Sequence, residues 1–505
     1  MVDGRTIIGC SDAVAESPAA GRGAGRRPLH VLVRRVLLAG ASAAALVSAG
    51  PSVPARAQQG QGSLDVRCGV GTAGGTVSIS LGEGNAMAAA IARTADGKLV
   101  VVGNHDAGGS QHVVVFRYGP DGTLDGAFGA DGGADGTPDG VVDVSLGAGD
   151  DVATAVAVQP DGKILVAGHH VERASSDIFL LRLDAAGAPD AGFGTAGDGL
   201  PDGVFIVSLG DGDDVLRGVV AAADGTIVVA GDSMRGENAD IVVARFAPDG
   251  TPDASFGANG GAKGKSMPDG FVSIDLAAGD DRADALALAP DGSILVAGSH
   301  VADDGADIVV VRLTASGVLD AGFGKAQDGM PDGVVAVSPG DGDYTASAIA
   351  IASDGKIVVA GTSVARDGST NFVVARLNAD GTPDAGLGAG EGPGGTPDGF
   401  VATSLGDGDD VATALALQAE GAILVGGYHQ DGDSTSMAVA RYTASGTLDA
   451  AFGGARSVLN VSLGDGDDKA NGMVLDGDGL LVLAGSTTAH AGGRSDIALV
   501  RLPLD

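Results

Sequence analysis

Asp161-Gly162-Lys163-Ile164-Leu165-Val166-Ala167-Gly168 is a tight turn followed by an apolar run that ends on glycine. An Asp-Gly pair has hairpin chemistry, and a short run rich in Val, Ile and Leu bounded by such residues reads as a strand. The turn returns at Asp96, Asp161, Asp224, Asp291, Asp354, Glu420 and Asp478, each followed by Gly, at spacings of 58 to 67 residues. Runs such as KLVVVG, TIVVAG and SILVAG follow it. Such a period marks a repeat architecture whose units bury their apolar faces only against one another.

Working outward from this turn, the second repeat contains four strand-like runs: Ala153 to Gln159 (A), Lys163 to Gly168 (B), Asp177 to Leu183 (C) and Val204 to Leu209 (D). A longer loop containing Gly187 to Gly194 joins C to D. Four antiparallel strands per unit match a propeller blade. A D-type strand, Thr76 to Leu81, precedes the first repeat, whereas the seventh stops at a C-type strand, Asp496 to Leu502. If the first strand completes the last blade, both exposed sheet edges vanish. The expected fold is therefore all-β: a seven-bladed β-propeller of four-stranded antiparallel blades, with its ring closed by the N-terminal strand.

The first 57 residues are of another kind. Arg26, Arg27, Arg34 and Arg35 precede an apolar stretch from Val36 to Val47, and Ala55-Arg56-Ala57 offers a small-residue cleavage site. This reads as a signal peptide, shorter than the ~20 apolar residues of a membrane span. Arg34-Arg35 before Val36-Leu37-Leu38 fits either a twin-arginine signal or an ordinary basic region. The expected organisation is a signal peptide and basic extension at 1–57, a linker at 58–75 and the propeller at 76–505, in a secreted or periplasmic protein without a membrane span.

Residues 1–57 hold 7 of the 30 basic and 3 of the 65 acidic residues, which leaves the mature part 23 basic and 62 acidic ones, a net charge near −39. Phosphate backbones and anionic membranes are repelled by such a chain, and cations are attracted. Nucleic acid is therefore not an expected partner. A protein or cell-surface ligand is. Only Cys68 follows the signal, so no intramolecular disulfide is available. The absence of Trp and the 12 Phe leave few stacking platforms for sugars or bases.

The joint pattern of DG-x-[IL]-[LV]-V-x-G, a strand ending in Arg, and G-x-[LP]-D-x-x-[FL]-G resembles the delta-60 repeat of bacterial exported proteins. Asp121-Gly122-Thr123-Leu124-Asp125 with Phe128-Gly129, and Ser445-Gly446-Thr447-Leu448-Asp449 with Phe452-Gly453, carry it. Leu387 replaces Phe in one copy, and the seventh unit stops at Pro503-Leu504-Asp505. The resemblance implies a propeller-like repeat domain and no defined activity.

Three features could carry chemistry. The D–A turns hold Asp211, Asp213 and Asp214, then Asp407, Asp409 and Asp410, then Asp465, Asp467 and Asp468, each set within a Gly-Asp-Gly-Asp-Asp run. Alternating Asp and Gly can gather hard oxygens around Ca²⁺, although the distal Glu of an EF-hand is missing. The competing reading is a turn whose aspartates accept backbone hydrogen bonds. The second feature is one polar position of strand A, Ala89, Thr154, Arg217, Asp284, Ser347, Thr413 and Asn471, expected to line a wet central channel with Arg217 near Asp284. The third is the residue two past the glycine of strand B, His105, His170, Ser233, His300, Ser363, His429 and Thr487; its four histidines could bind a transition metal if they converged, but coming from different blades they are expected as separate, exposed rim groups.

Arg117, Arg182, Arg245, Arg312, Arg376, Arg441 and Arg501 end strand C, and an Asp follows six of them by eight residues. A guanidinium fork suits a carboxylate and carbonyls together, so this spacing predicts a clamp on the C–D loop. At the aligned polar position of strand A, no nucleophile stands with a base. The reading is an exported, non-catalytic propeller acting as a binding or structural module, with Ca²⁺ as a candidate stabilising ion. Its alternative is a metal-dependent propeller hydrolase or lactonase with its site at the channel mouth.

Overall fold

Each Asp-Gly turn whose residues are described joins two strands, with its glycine in the left-handed region, as at Gly162 (φ 86°). The computed structural model describes residues 75–81, 84–129, 140–172, 175–194, 202–210, 212–257, 269–276, 278–302, 305–324, 330–338, 342–364, 368–388, 399–453, 457–464, 466–476, 479–488 and 493–504. The expected signal peptide and nearly all of the linker lie outside these residues. The described residues form seven four-stranded antiparallel sheets, each in the order A-B-C-D. In the second blade the strands are Asp150–Val158, Ile164–Glu172, Ser175–Leu183 and Val204–Val207. Neighbouring A strands pack against each other around the ring, the seventh against the first, so A is innermost and the four-residue D strand outermost.

The ring closes as its terminal strands predict. Thr76–Ile79 pairs antiparallel with Asp496–Leu502, Thr76 opposite Val500 and Ile79 opposite Ile497, and supplies the D strand of the seventh blade. Between blades the core is made by facing Val, Ile, Leu, Ala and Phe side chains. One cluster joins Val482 and Leu499 of the last blade, Ile91 and Val101 of the first, and Val166 and Phe179 of the second.

Every A strand carries a β-bulge at the polar position noted in the sequence. Pairing with strand B skips one residue at Ala89, Thr154, Arg217, Asp284, Ser347, Thr413 and Asn471. The glycine of strand B lies opposite. A Cβ on Gly168 would sit 2.0 Å from the Val152 carbonyl oxygen, and one on Gly231 1.9 Å from that of Val215. Close backbone approach at the bulge therefore requires glycine at the end of each apolar run.

The predicted clamp is present in six blades. Nε of Arg117, Arg182, Arg245, Arg312, Arg376 and Arg441 donates to Oδ2 of the Asp eight residues on at 2.6–2.9 Å. In the seventh blade Arg501 takes Asp476 instead. Each clamp also reaches across a blade boundary. Arg376 Nη1 donates to the Ala444 carbonyl at 2.6 Å, and Arg501 Nη1 to that of Pro120 at 3.1 Å, from the last blade to the first. Five of the guanidinium groups lie over the ring of the following Phe, 4.4–5.0 Å from its centroid.

Candidate functional site

Strand alternation brings the D–A turns and B–C hairpins to one face of the ring, where, in the five turns that carry two adjacent aspartates, the two have separate tasks. The first reaches back to the preceding blade. Oδ1 of Asp150, Asp213, Asp280, Asp343, Asp409 and Asp467 accepts from the backbone N–H of Gln111, Ser176, Ala239, Ala306, Thr370 and Thr435 at 2.8–3.1 Å. At the seventh boundary Asn85 Oδ1 accepts from Ser495 N–H at 3.1 Å.

The second aspartate is turned inward. Asp151, Asp214, Asp281, Asp410 and Asp468 are fully buried. Their Oδ2 accepts the N–H of a leucine five residues earlier (Leu146, Leu209, Leu276, Leu405, Leu463) at 2.6–2.7 Å, which closes the turn. In three blades Oδ1 bonds the Nδ1 of the strand B histidine at 2.6 Å: Asp151 with His170, Asp281 with His300 and Asp410 with His429. These histidines are buried, contrary to the expectation of exposed rim groups, because the carboxylate opposite satisfies them inside the blade. Burial raises the carboxyls of Asp214, Asp281, Asp410 and Asp468 above their usual range, against the hydrogen bonds they accept. The Asp151 bond raises His170, with burial opposing it.

Seven of the nine aspartates proposed for Ca²⁺ are thereby placed. Asp214, Asp410 and Asp468 latch their own turns, while Asp213, Asp409 and Asp467 staple blades together, and Asp407 is exposed. Asp211 and Asp465 lie outside the described residues.

At the axis, the bulge side chains are buried or half-buried rather than lining a wet channel. Five of the seven reach the next blade. Hydroxyls of Thr154, Ser347 and Thr413 donate to the carbonyls of Leu216, Ala412 and Ala470 at 2.6–2.8 Å. Asn471 Nδ2 donates to that of Ala88 at 2.8 Å, across the closing boundary. Arg217 bonds Asp232 at 2.9 Å and has Asp284 of the next blade at 3.9 Å, which makes the expected pairing an ionic one.

The first blade departs from this pattern. Ala86 stands opposite His105, where the second, fourth and sixth blades have the latching aspartate. His105 Nε2 instead meets Asp143 Oδ2 at 2.9 Å, and His112 Nδ1 meets Asp143 Oδ1 at 3.0 Å. Burial opposes ionisation of Asp143, but the two histidines outweigh it and hold its carboxyl below the usual range. Among the described residues, two groups of three bring metal-capable atoms within 4.8 Å of one another: His105-His112-Asp143 and Asp240-Asp275-Asp281. Neither contains any of the nine aspartates. Sequence reasoning placed His105 in a repeated column but passed over His112 and Asp143; the available signal was the missing aspartate at Ala86.

Residues 94–128, 159–193, 222–256, 289–323, 352–386 and 418–452 match the family described as a domain of unknown function (DUF5122) beta-propeller. Each segment runs from an A–B turn through strands B and C into the clamped loop. No curated protein matches the chain. Similar solved structures include polysaccharide lyase Uly1, at 12% identity over 83% of this chain and 90% of that one, with a TM-score of 0.45. The PQQ-bound aldose sugar dehydrogenase of Streptomyces coelicolor is 13% identical over 82% and 94%, with a TM-score of 0.35. Sqt1 of Chaetomium thermophilum, bound to the N-terminus of a ribosomal protein, is 11% identical over 83% and 96%, with a TM-score of 0.36. Six repeats match one propeller family in step with the sheets, and the chain is a β-propeller repeat protein.

Proposed function

We propose that the chain is an exported, non-catalytic propeller of the delta-60 kind, a binding or structural module for a protein or cell-surface ligand. Residues 1–57 act in this reading as the export signal and 58–75 as a linker, and the protein works in the periplasm or outside the cell. One observation carries the absence of catalysis. The polar groups at the axis, where a propeller enzyme would keep its reacting groups, are engaged in joining blades, as Thr154 to Leu216 and Asn471 to Ala88. No helix among the described residues is long and apolar enough to cross a membrane.

The test has two arms. A photo-reactive side chain at Val301, 38% exposed at the end of its B strand, should give a discrete cross-linked adduct in the producing cell. The purified protein should turn over neither lactones nor phosphate esters with divalent ions present. Turnover that is lost in Arg217→Ala or Asp284→Ala, without an adduct, would establish the hydrolase reading instead.

Calcium enters as part of the same proposal. The staples engage Oδ1 of Asp213, Asp409 and Asp467, and Ca²⁺ would use the second oxygen of each, together with Asp211, Asp407 or Asp465 of the same turn and the latching Asp214, Asp410 or Asp468. Saturation at ~100 Kd stabilises by roughly 2.7 kcal/mol per site, so the melting temperature should rise more in CaCl2 than in NaCl of equal ionic strength. An equal response in the two salts ends the calcium reading.

A further inference from the structure

We infer that the first blade holds a transition-metal site of the Zn²⁺ class, made by His105, His112 and Asp143. Three departures from the repeat coincide there. Ala86 replaces the aspartate that occupies the strand B histidine in three other blades, which leaves His105 without that partner. Directly opposite His105 on strand C stands His112, where the other blades have Asp177, Asp240, Asp307, Asn371, Ser436 and Asp496. On strand D, Asp143 stands where Ile206, Ser273, Ala336, Ala402, Asn460 and Ser78 stand elsewhere. Each change alone is unremarkable. Together they bring two imidazoles and a carboxylate onto one face of three adjacent strands.

The chemistry of this set suits an ion softer than Ca²⁺, which takes oxygen ligands. Two histidine nitrogens and one carboxylate oxygen, with a fourth position left for water, form a common open Zn²⁺ set. Rigid strands hold all three ligands. The 2.9 and 3.0 Å separations need to widen only to roughly 3.4 Å for tetrahedral bonds of about 2.1 Å. The ring of His105 is buried and its Nδ1 has no hydrogen-bond partner among the described residues, so its one polar contact is on the Nε2 side, where Asp143 lies. His112 and Asp143 keep 19% and 16% of their side chains exposed, which leaves water a path to the fourth position. The site belongs to one blade and includes none of the nine acidic-turn aspartates.

The untagged mature protein, stripped with chelator, should bind Co²⁺ at one per chain and show the visible absorption of a four- or five-coordinate ion. Zn²⁺ should displace it and excess Ca²⁺ should not. His112→Ala and Asp143→Asn should weaken binding at least roughly ten-fold, and His170→Asn, at the equivalent column of the next blade, should leave it unchanged. Zn²⁺ should also protect His112 of the unaltered protein from acylation by diethylpyrocarbonate, read by peptide mass, which needs no variant to fold. Substoichiometric Co²⁺, displacement by Ca²⁺, equal affinity in His112→Ala, or His112 acylation indifferent to Zn²⁺ would overturn the site.

Discussion

Asp213 Oδ1 accepts the backbone N–H of Ser176 at 2.9 Å, so the turn that opens the third blade holds the start of strand C in the second. A hydrogen bond to a charged acceptor contributes about 1.5–3 kcal/mol. Asp213→Ala should lower unfolding stability in urea by about that amount, and Asp213→Asn, which keeps an acceptor oxygen, by less. Equal losses in the two variants would show that the side-chain oxygen is not what matters.

Gly187 and Gly108 separate backbone strain from packing. Both have positive φ, 93° and 67°, but a Cβ on Gly187 would meet the Phe128 ring at 2.9 Å and the Gly129 nitrogen at 2.8 Å, whereas one on Gly108 meets nothing within 4 Å. Gly108→Ala should lose only the roughly 1–2 kcal/mol of the left-handed conformation. Gly187→Ala should lose clearly more, because it also pushes the first and second blades apart. Chemical denaturation of the two variants side by side measures the difference.

His170 gives the neutral pH range a defined slope. Its folded pKa is raised above the ordinary 6.5 by the Asp151 bond, so its stabilisation is complete below about pH 6.5 and is lost as pH rises through the folded value. The melting temperature of the unaltered protein, taken relative to His170→Gln, should fall as pH rises from about 6 to 9. A constant difference would show that this proton is not coupled to folding.

Asp384 acts in the opposite direction. Burial opposes its ionisation, but Lys356, the Gly386 N–H and Arg376 lower its carboxyl to about 2. The stabilisation is present above the ordinary value of 3.8 and is lost as pH falls toward 2. Asp384→Asn should therefore be less stable than the parent at neutral pH, with the gap closing in acid as followed by circular dichroism.

Removing residues 1–80 should uncover strand C of the seventh blade, Asp496–Leu502, as a sheet edge. Uncovered edges recruit other strands. The truncated protein should melt lower and run larger than a monomer by light scattering, while a strand of the Thr76–Ile79 sequence fused after the C-terminus should restore both properties.

The repeats were legible because each glycine and each Asp-Gly turn answers a local requirement that recurs in register. The Arg-to-Asp clamp was legible for the same reason: both partners lie in one loop at a constant spacing, as Arg182 and Asp190 do. The two tasks of Asp213 and Asp214 were not, since one partner, Ser176, belongs to another blade and sequence spacing says nothing about which blade a turn touches. The bulge was hidden too, because a polar residue within an inner strand looks the same whether it faces a channel or a neighbouring carbonyl. The His105 cluster escaped for a third reason. Aligning the repeats brings out what is shared, and Ala86, His112 and Asp143 are what the first blade does not share.

The pairing that closes the ring also fixes how the molecule responds to a pull. Thr76 lies opposite Val500, so the chain enters and leaves this strand pair at the same end. Tension applied between the two ends of the propeller would open the pair one rung at a time, as a zipper, rather than shearing all its hydrogen bonds together. The seam between first and last strands is thus the mechanical weak point of the ring. A propeller tethered at one end and pulled at the other would yield there at low force, with the six continuous blades still intact.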